Sequence, residues 1–232
     1  MTRGRGMITM AIACAWVAGT IAGQQPPAAS PVLLNPAALT ETAPATFVAQ
    51  FDTTAGPFTV RVTRAWAPVG ADRFYNLVKA GFYNDCRIFR VVPGYVVQFG
   101  INGDPEVTKA WAAATMASDR ARMSNTRGRL TFAMGAIATT RSTQVFVNLG
   151  DNSKKLDQDG YAPFGEVATG LAVMDGVFAQ YGEAPDQKQI ATGGNAYLAR
   201  LFPKLDYIRT ATITSRGPSQ KSAGRRSWRP IR

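Results

Sequence analysis

The sequence predicts a mainly β domain, drawn as a closed antiparallel barrel capped by two helices. Three observations point there. Short apolar segments, several with two-residue alternation, recur along the chain between turn signals. Only two stretches carry sizeable helical spacing. Closing such a sheet also removes the exposed edges that many short strands would otherwise leave. With 232 residues, 46% of them hydrophobic, the chain can bury one full core.

The chain begins with Arg3 and Arg5, an apolar run from Met7 to Ile21, and small residues at Ala22 and Gly23 before Gln24 and Gln25. That order is the pattern of a secretory signal peptide over residues 1–23, cleaved near Ala22 to Gln24. The run is short for a membrane span. A periplasmic or secreted protein is therefore expected. Cleavage would remove Cys14 and leave Cys86 as the lone cysteine, expected to be a buried small hydrophobe with no disulfide behind it. Residues 24–46 hold Pro26, Pro27, Pro31, Pro36 and Pro44 without a helical or strand period and read as a tether.

The main domain is read over residues 47–215. Phe47 to Thr53 and Phe58 to Thr63 alternate apolar and polar residues about the turn Thr54-Ala55-Gly56-Pro57, a hairpin with one buried face. Pro68 suits a first helical position, and Ala71, Phe74, Tyr75, Leu77 and Val78 follow at helical spacing up to Gly81, so a helix is expected over about Ala67 to Ala80. Strands are expected at Cys86 to Val92 and Tyr95 to Gly100, joined by Pro93-Gly94. Ile101 to Arg127 is a long excursion with a short helical piece near Ala110 to Arg122. Strand signals resume at Arg129 to Met134, Thr143 to Leu149 and Tyr161 to Val167. Leu171, Met174, Val177 and Phe178 are spaced for the second helix. Ala196 to Leu205 reads as a docking piece carrying Tyr197, Leu198 and Phe202, and Asp206 to Ser215 as the last strand.

The formal charge of +11 is unevenly placed. Six of the cations lie in the tail 216–232, which has no acidic residue; setting them and Arg3 and Arg5 aside brings +11 down to +3. The tail reads as a basic, solvated segment able to touch anionic surfaces, with no nucleic-acid binding expected. Histidine is absent, which removes Ser-His-Asp and Cys-His catalysis and makes a zinc site improbable.

One charge stands out. Arg90 lies within the apolar run Phe89-Arg90-Val91-Val92, ahead of Pro93-Gly94-Tyr95 and Gln98, and a charge in such a run is costly unless its donors are used. Phe89 to Gln98, with its arginine, Pro-Gly, aromatic residue and glutamine, resembles the signature of the cyclophilin-type peptidyl-prolyl isomerases. Thr143-Gln144-Val145-Phe146-Val147-Asn148 is similar to that family's second motif, and Phe164-Gly165-Glu166-Val167 to its third. Asn125-Thr126-Arg127-Gly128 also fits. The resemblance runs from about Phe47 to Ser215.

It implies an eight-stranded closed barrel under two helices, acting on X-Pro bonds of polypeptides without a cofactor or a metal. By motif, Arg90, Tyr95, Gln98 and Phe146 are the implied catalytic residues, and Gln144, Leu156, Ala133 and Val96 the substrate-binding ones. Tyr95, Phe146 and Leu156 would line a proline pocket, and Gln98 and Gln144 would fix the substrate backbone. A monomer assisting the folding of exported proteins is expected; the rival reading is a peptide-binding or chaperone module with little turnover. Three departures from the pattern stand out. The loop Gly135-Ala136-Ile137-Ala138-Thr139 stands where the family often has Gly-Pro-Asn, is one residue longer than expected and borders the groove. Lys155 stands where many members have a tryptophan that contacts a cyclic peptide inhibitor, so weak inhibitor binding is expected. Phe89 stands where a histidine is common.

Overall fold

The computed structural model describes residues 30–214. The expected signal segment, the first part of the tether (24–29) and the basic tail lie outside the described residues. The strands are β1 (Thr46–Thr53), β2 (Phe58–Thr63), β3 (Arg90–Val92), β4 (Val96–Phe99), β5 (Arg129–Phe132), β6 (Val145–Asn148), β7 (Pro163–Thr169) and β8 (Ile208–Thr214). They form one antiparallel sheet in the order β3-β4-β6-β5-β7-β2-β1-β8, curled into a half-barrel.

The expected closure is not made. β3 and β8 are the two edges of the sheet, and among the described residues no strand ladder joins them; an isolated bridge, Arg87↔Tyr207, lies at the seam. Around that bridge Ile88 N donates to Asp206 O (2.8 Å) and Ile208 N to Cys86 O (3.0 Å). The reason for the gap lies in β3, which is three residues long instead of the seven read from Cys86 to Val92. Its Val91 N–H donates to Gly182 O (3.1 Å), in the loop before the last helix, and not to β8. A loop therefore covers the edge that closure was expected to remove.

The β1–β2 hairpin follows its alternation. Phe58, Val60 and Val62 are buried while Thr59, Arg61 and Thr63 are half-buried. Phe51 and Phe58 stack across the pair with centroids 4.6 Å apart. The first helix, α1 (Pro68–Lys79), starts on the expected proline and turns Ala71, Phe74, Leu77 and Val78 into the core. Its first free N–H groups, on Val69 and Gly70, donate to the Asp119 carboxylate at 2.9 and 2.8 Å, a distant substitute for a local cap. Phe74 is fully buried among Phe47, Phe51, Tyr83 and Phe164, with centroids 5.1 to 6.5 Å away.

The second helix differs from expectation. The segment at Leu171 folds only a short helix (Leu171–Gly176). The second sizeable helix is Gln187–Leu201, and it merges two pieces across a kink at Gly194 (φ 54°, ψ −149°). Asp186 caps it, accepting from Lys188 N (2.8 Å) and Gln189 N (2.9 Å). At Gly194 a Cβ would run into the Gly103 carbonyl and the Pro105 ring, so Gly193-Gly194 bends the helix, and the docking piece read from Ala196 is its continuation. The excursion after β4 is helical at Pro105–Ala112, earlier than expected, because Asp104 caps it through Glu106 N (2.8 Å). With Leu171–Gly176 and the single turn Ser153–Leu156, these helices are numbered α2 (105–112), α3 (153–156), α4 (171–176) and α5 (187–201).

From Ser30 on, the stretch read as a tether is docked instead. Two short 3-10 turns begin on Pro31 and Pro36, Leu33 is buried, and its carbonyl accepts from Trp111 Nε1 at 2.8 Å. Asn76 bonds the Glu41 backbone in both directions, at 3.1 and 2.7 Å, and Asp72 accepts from Ala43 N at 2.8 Å.

Phe74→Ala is expected to lower unfolding stability by about 3–5 kcal/mol, because it removes the ring on which four others pack; a loss under about 1 kcal/mol in urea titration would contradict that role. Cys86 is fully buried, and burial pushes its thiol well above the ordinary range. A thiol reagent should leave the native protein unmodified and label Cys86 only on unfolding.

Candidate active site

β3, β4, β6 and β5 run side by side. Their register places Arg90 opposite Gln98, Gln98 opposite Phe146, and Phe146 opposite Thr131. Residues directly opposite share a face of the sheet, and alternate residues take the other. Val91, Val97, Phe99, Val145 and Val147 enter the main core. Arg90, Gln98 and Phe146 therefore stand on the outer face, where a groove of about 730 Å³ opens. All eight residues singled out from the sequence line it: Arg90, Tyr95, Val96, Gln98, Ala133, Gln144, Phe146 and Leu156.

One end of the groove is apolar. Val96, Phe146 and Leu156 form a buried cluster of their own, separate from the main core, with Tyr95, Ala133 and Tyr161 packed around it. Phe146 and Tyr161 meet edge to face at 5.7 Å. Leu156 reaches this cluster from α3, a single turn too short to hold itself. Side-chain amides hold it instead. Asn152 donates to Tyr95 O (2.9 Å) and Asn148 Oδ1 (2.7 Å). Asn125 is fully buried, donates to Asp157 Oδ1 (2.8 Å) and Tyr161 O (3.0 Å), and accepts from Thr131 Oγ1 (2.9 Å). This polar network sits behind the apolar pocket and fixes its wall.

The polar end is a chain of side chains across the strands. Arg90 Nη1 donates to Gln98 Oε1 (3.1 Å), and Gln98 Nε2 donates to Gln144 Oε1 (2.8 Å). The Arg90 guanidinium lies 5.7 Å from the Tyr95 ring centre. Burial pushes the Tyr161 phenol up, with Tyr95 and Asp159 adding to the effect and Arg90 opposing it, so the hydroxyl keeps its proton at neutral pH. The long loop borders the groove as expected. Gly135 and Thr140 line it, Gly135 N donates to Thr140 Oγ1 (2.6 Å), and Ile137 is 62% exposed. Phe89 is buried in a satellite cluster with Ile101, Ile190 and Leu198. Lys155 is exposed beside Leu156.

Sequence reasoning missed Tyr161, Glu183, Trp111 and Gln187, which also line the groove. Tyr161 had a visible signal, an aromatic residue directly after a turn and ahead of the third motif. Glu183 and Gln187 had none, since their loop and helix were not recognised.

Chemically, the arrangement sets one guanidinium, braced by neutral amides, beside an apolar slot. Such a site can hold a small apolar ring and direct N–H donors at an atom next to it.

The sequence matches the family model for cyclophilin-type peptidyl-prolyl cis-trans isomerases over residues 48–190. A peptidyl-prolyl cis-trans isomerase of Acinetobacter baylyi is 31% identical over 129 residues, which is 54% of this chain and 69% of the relative. Peptidyl-prolyl cis-trans isomerase B of Escherichia coli is 27% identical over 164 residues, 68% of this chain and 93% of the relative. Among solved structures, a cyclophilin-type isomerase of Cryptosporidium parvum shares the fold with a TM-score of 0.56 at 15% identity, over 74% of this chain and 99% of that one. A cyclophilin from Hirschia baltica does so with a TM-score of 0.56 at 16% identity, over 77% and 78% of the two chains. The family match spans more than half of the sequence and takes in every residue of the groove named from the motifs, and on that ground the chain belongs to the cyclophilin-type peptidyl-prolyl cis-trans isomerases.

Proposed function

We propose that this isomerase acts on X-Pro bonds of exported polypeptides and assists their folding, with Arg90 as the group that stabilises the twisted bond. The observation that carries the reading is the placement of the Arg90 guanidinium on the same face as the slot formed by Val96, Phe146 and Leu156. The pattern of residues 1–23 supports export.

Rotation about an X-Pro bond breaks amide conjugation, against a barrier of about 18–20 kcal/mol, and takes tens of seconds or longer unaided. The prolyl nitrogen has an available lone pair only in the twisted state. An N–H of Arg90 aimed at that atom favours the transition state over both planar ground states. Tyr95, Phe146 and Leu156 hold the ring while the other side of the bond turns. Gln98 orients Arg90, and Gln144, which accepts from Gln98, keeps its own amide N–H groups for the substrate backbone.

Magnitudes limit the role of the arginine. Bringing tens of seconds down to milliseconds takes about 10⁴-fold, or roughly 5.5 kcal/mol. One charge-assisted hydrogen bond contributes about 1.5–3 kcal/mol. Enclosure by the apolar slot and positioning by the glutamines must supply the rest.

Arg90→Ala is therefore expected to lower kcat/KM on a short X-Pro peptide by about ten- to a hundredfold. Peptide binding with no turnover in the wild type would point to a binding module, and a wild-type rate unchanged by the substitution would sink the role of Arg90. Export has its own check. The protein should be recovered from the periplasmic or culture fraction with a new N-terminus near Gln24, and a cytoplasmic, unprocessed chain would contradict it.

A further inference from the structure

We propose that Glu183 is a positioning residue that fixes the Arg90 guanidinium for the isomerisation step; the inference rests on the role given to Arg90 above. Arg90 sits on β3, an edge of the sheet, so on its outer side no strand restrains its long, rotamer-rich side chain. The loop between α4 and α5 fills that side. Gly182 O accepts from Val91 N (3.1 Å), so Glu183 follows directly on the residue bonded next to Arg90.

The loop is built, not merely present. Gly182 takes φ +53°, Gly182 N donates to Ala179 O (3.0 Å), and Ala184 N donates to Tyr181 O (2.9 Å). Tyr181 packs against Phe178 and Phe202 with centroids 5.0 and 5.2 Å away. Asp186, three residues on from Glu183, caps α5. The carboxylate is thereby carried by anchored backbone on both sides.

Arg90 Nε donates to Glu183 Oε1 at 2.6 Å, and Nη2 lies 2.6 Å from the same oxygen. Nη1 is bonded to Gln98 on the other side. The guanidinium is held from two directions, and the Nη N–H groups not engaged there remain to face the substrate. Among the described residues lining the groove, Glu183 is the only carboxylate and Arg90 the only cation. The pair is too open to matter much for folding, since the Glu183 side chain is 63% exposed and that of Arg90 24%. Its effect is on orientation, where a small misplacement of the reacting group costs a large factor in rate.

The test uses the whole chain with Glu183→Ala and Glu183→Gln, isomerisation kinetics on a short X-Pro peptide, and the NMR signal of the Arg90 Nε–H. In Glu183→Ala, kcat is expected to fall about three- to tenfold with KM within about twofold, and the Nε–H should exchange faster with solvent than in the wild type. Glu183→Gln, whose amide oxygen can still accept, should recover part of both. With Arg90→Lys already present, Glu183→Ala should have little further effect on kcat. The proposal is overturned if Glu183→Ala leaves kcat unchanged or raises it, or if the Nε–H signal is the same in both proteins. The signal reports the clamp without reference to turnover. A clamp that is seen while Arg90→Ala costs no activity would therefore count against the role of Arg90, whereas a rate that depends on Arg90 but not on Glu183 would count against the clamp.

Discussion

The two-residue period of β3, β4 and β6 decides what each side chain of this region can do. In β4, Val97 and Phe99 fill the main core, and Val96 and Gln98, alternating with them, face the groove. A slip of one residue in the pairing with β6 would send Phe146 inward and Val147 outward, and would leave a glutamine in the core without partners. Core and site are thus two faces of the same register, fixed by the same hydrogen bonds. The apolar end of the groove adds to that register only α3 and the buried asparagines that hold it.

The strands were legible to within a few residues because their apolar period survives in the sequence. The hairpin of β1 and β2 and the proline-initiated α1 are cases in point. What failed was long-range or depended on glycine. Closure could not be read, because whether an edge strand pairs with a partner more than a hundred residues away, or with a covering loop, leaves no local mark. Helix α5 was hidden by Gly193-Gly194, which breaks the pattern without ending the helix. The docked stretch from Ser30 looked like a tether because proline masked two short turns, and because its anchors are side chains of α1 and α2 that bond its backbone.

The motif-borne part of the groove was legible residue by residue, since each motif carries its side chains at fixed spacing within one short run, as Arg90, Tyr95 and Gln98 lie in the hairpin of β3 and β4. The parts outside the motifs were not. Asn125 was visible as part of a matching segment, yet its work of bonding Asp157, Tyr161 and Thr131 together is three-dimensional. Glu183 lies 93 positions from its arginine, and no local pattern relates the two.

The contact between Leu33 and Trp111 has a further consequence. Trp111 is at once a lining residue of the groove and the donor that secures the incoming chain through the Leu33 carbonyl. Asn76 and Asp72 of α1 secure the next residues of the same stretch. Leu33 adds its own buried side chain to the indole bond, so the stretch is fixed to α2 and to the main core together. The anchor of the leading stretch is thus at the same time a piece of the groove wall, so the chain's entry into the domain and that wall share one side chain.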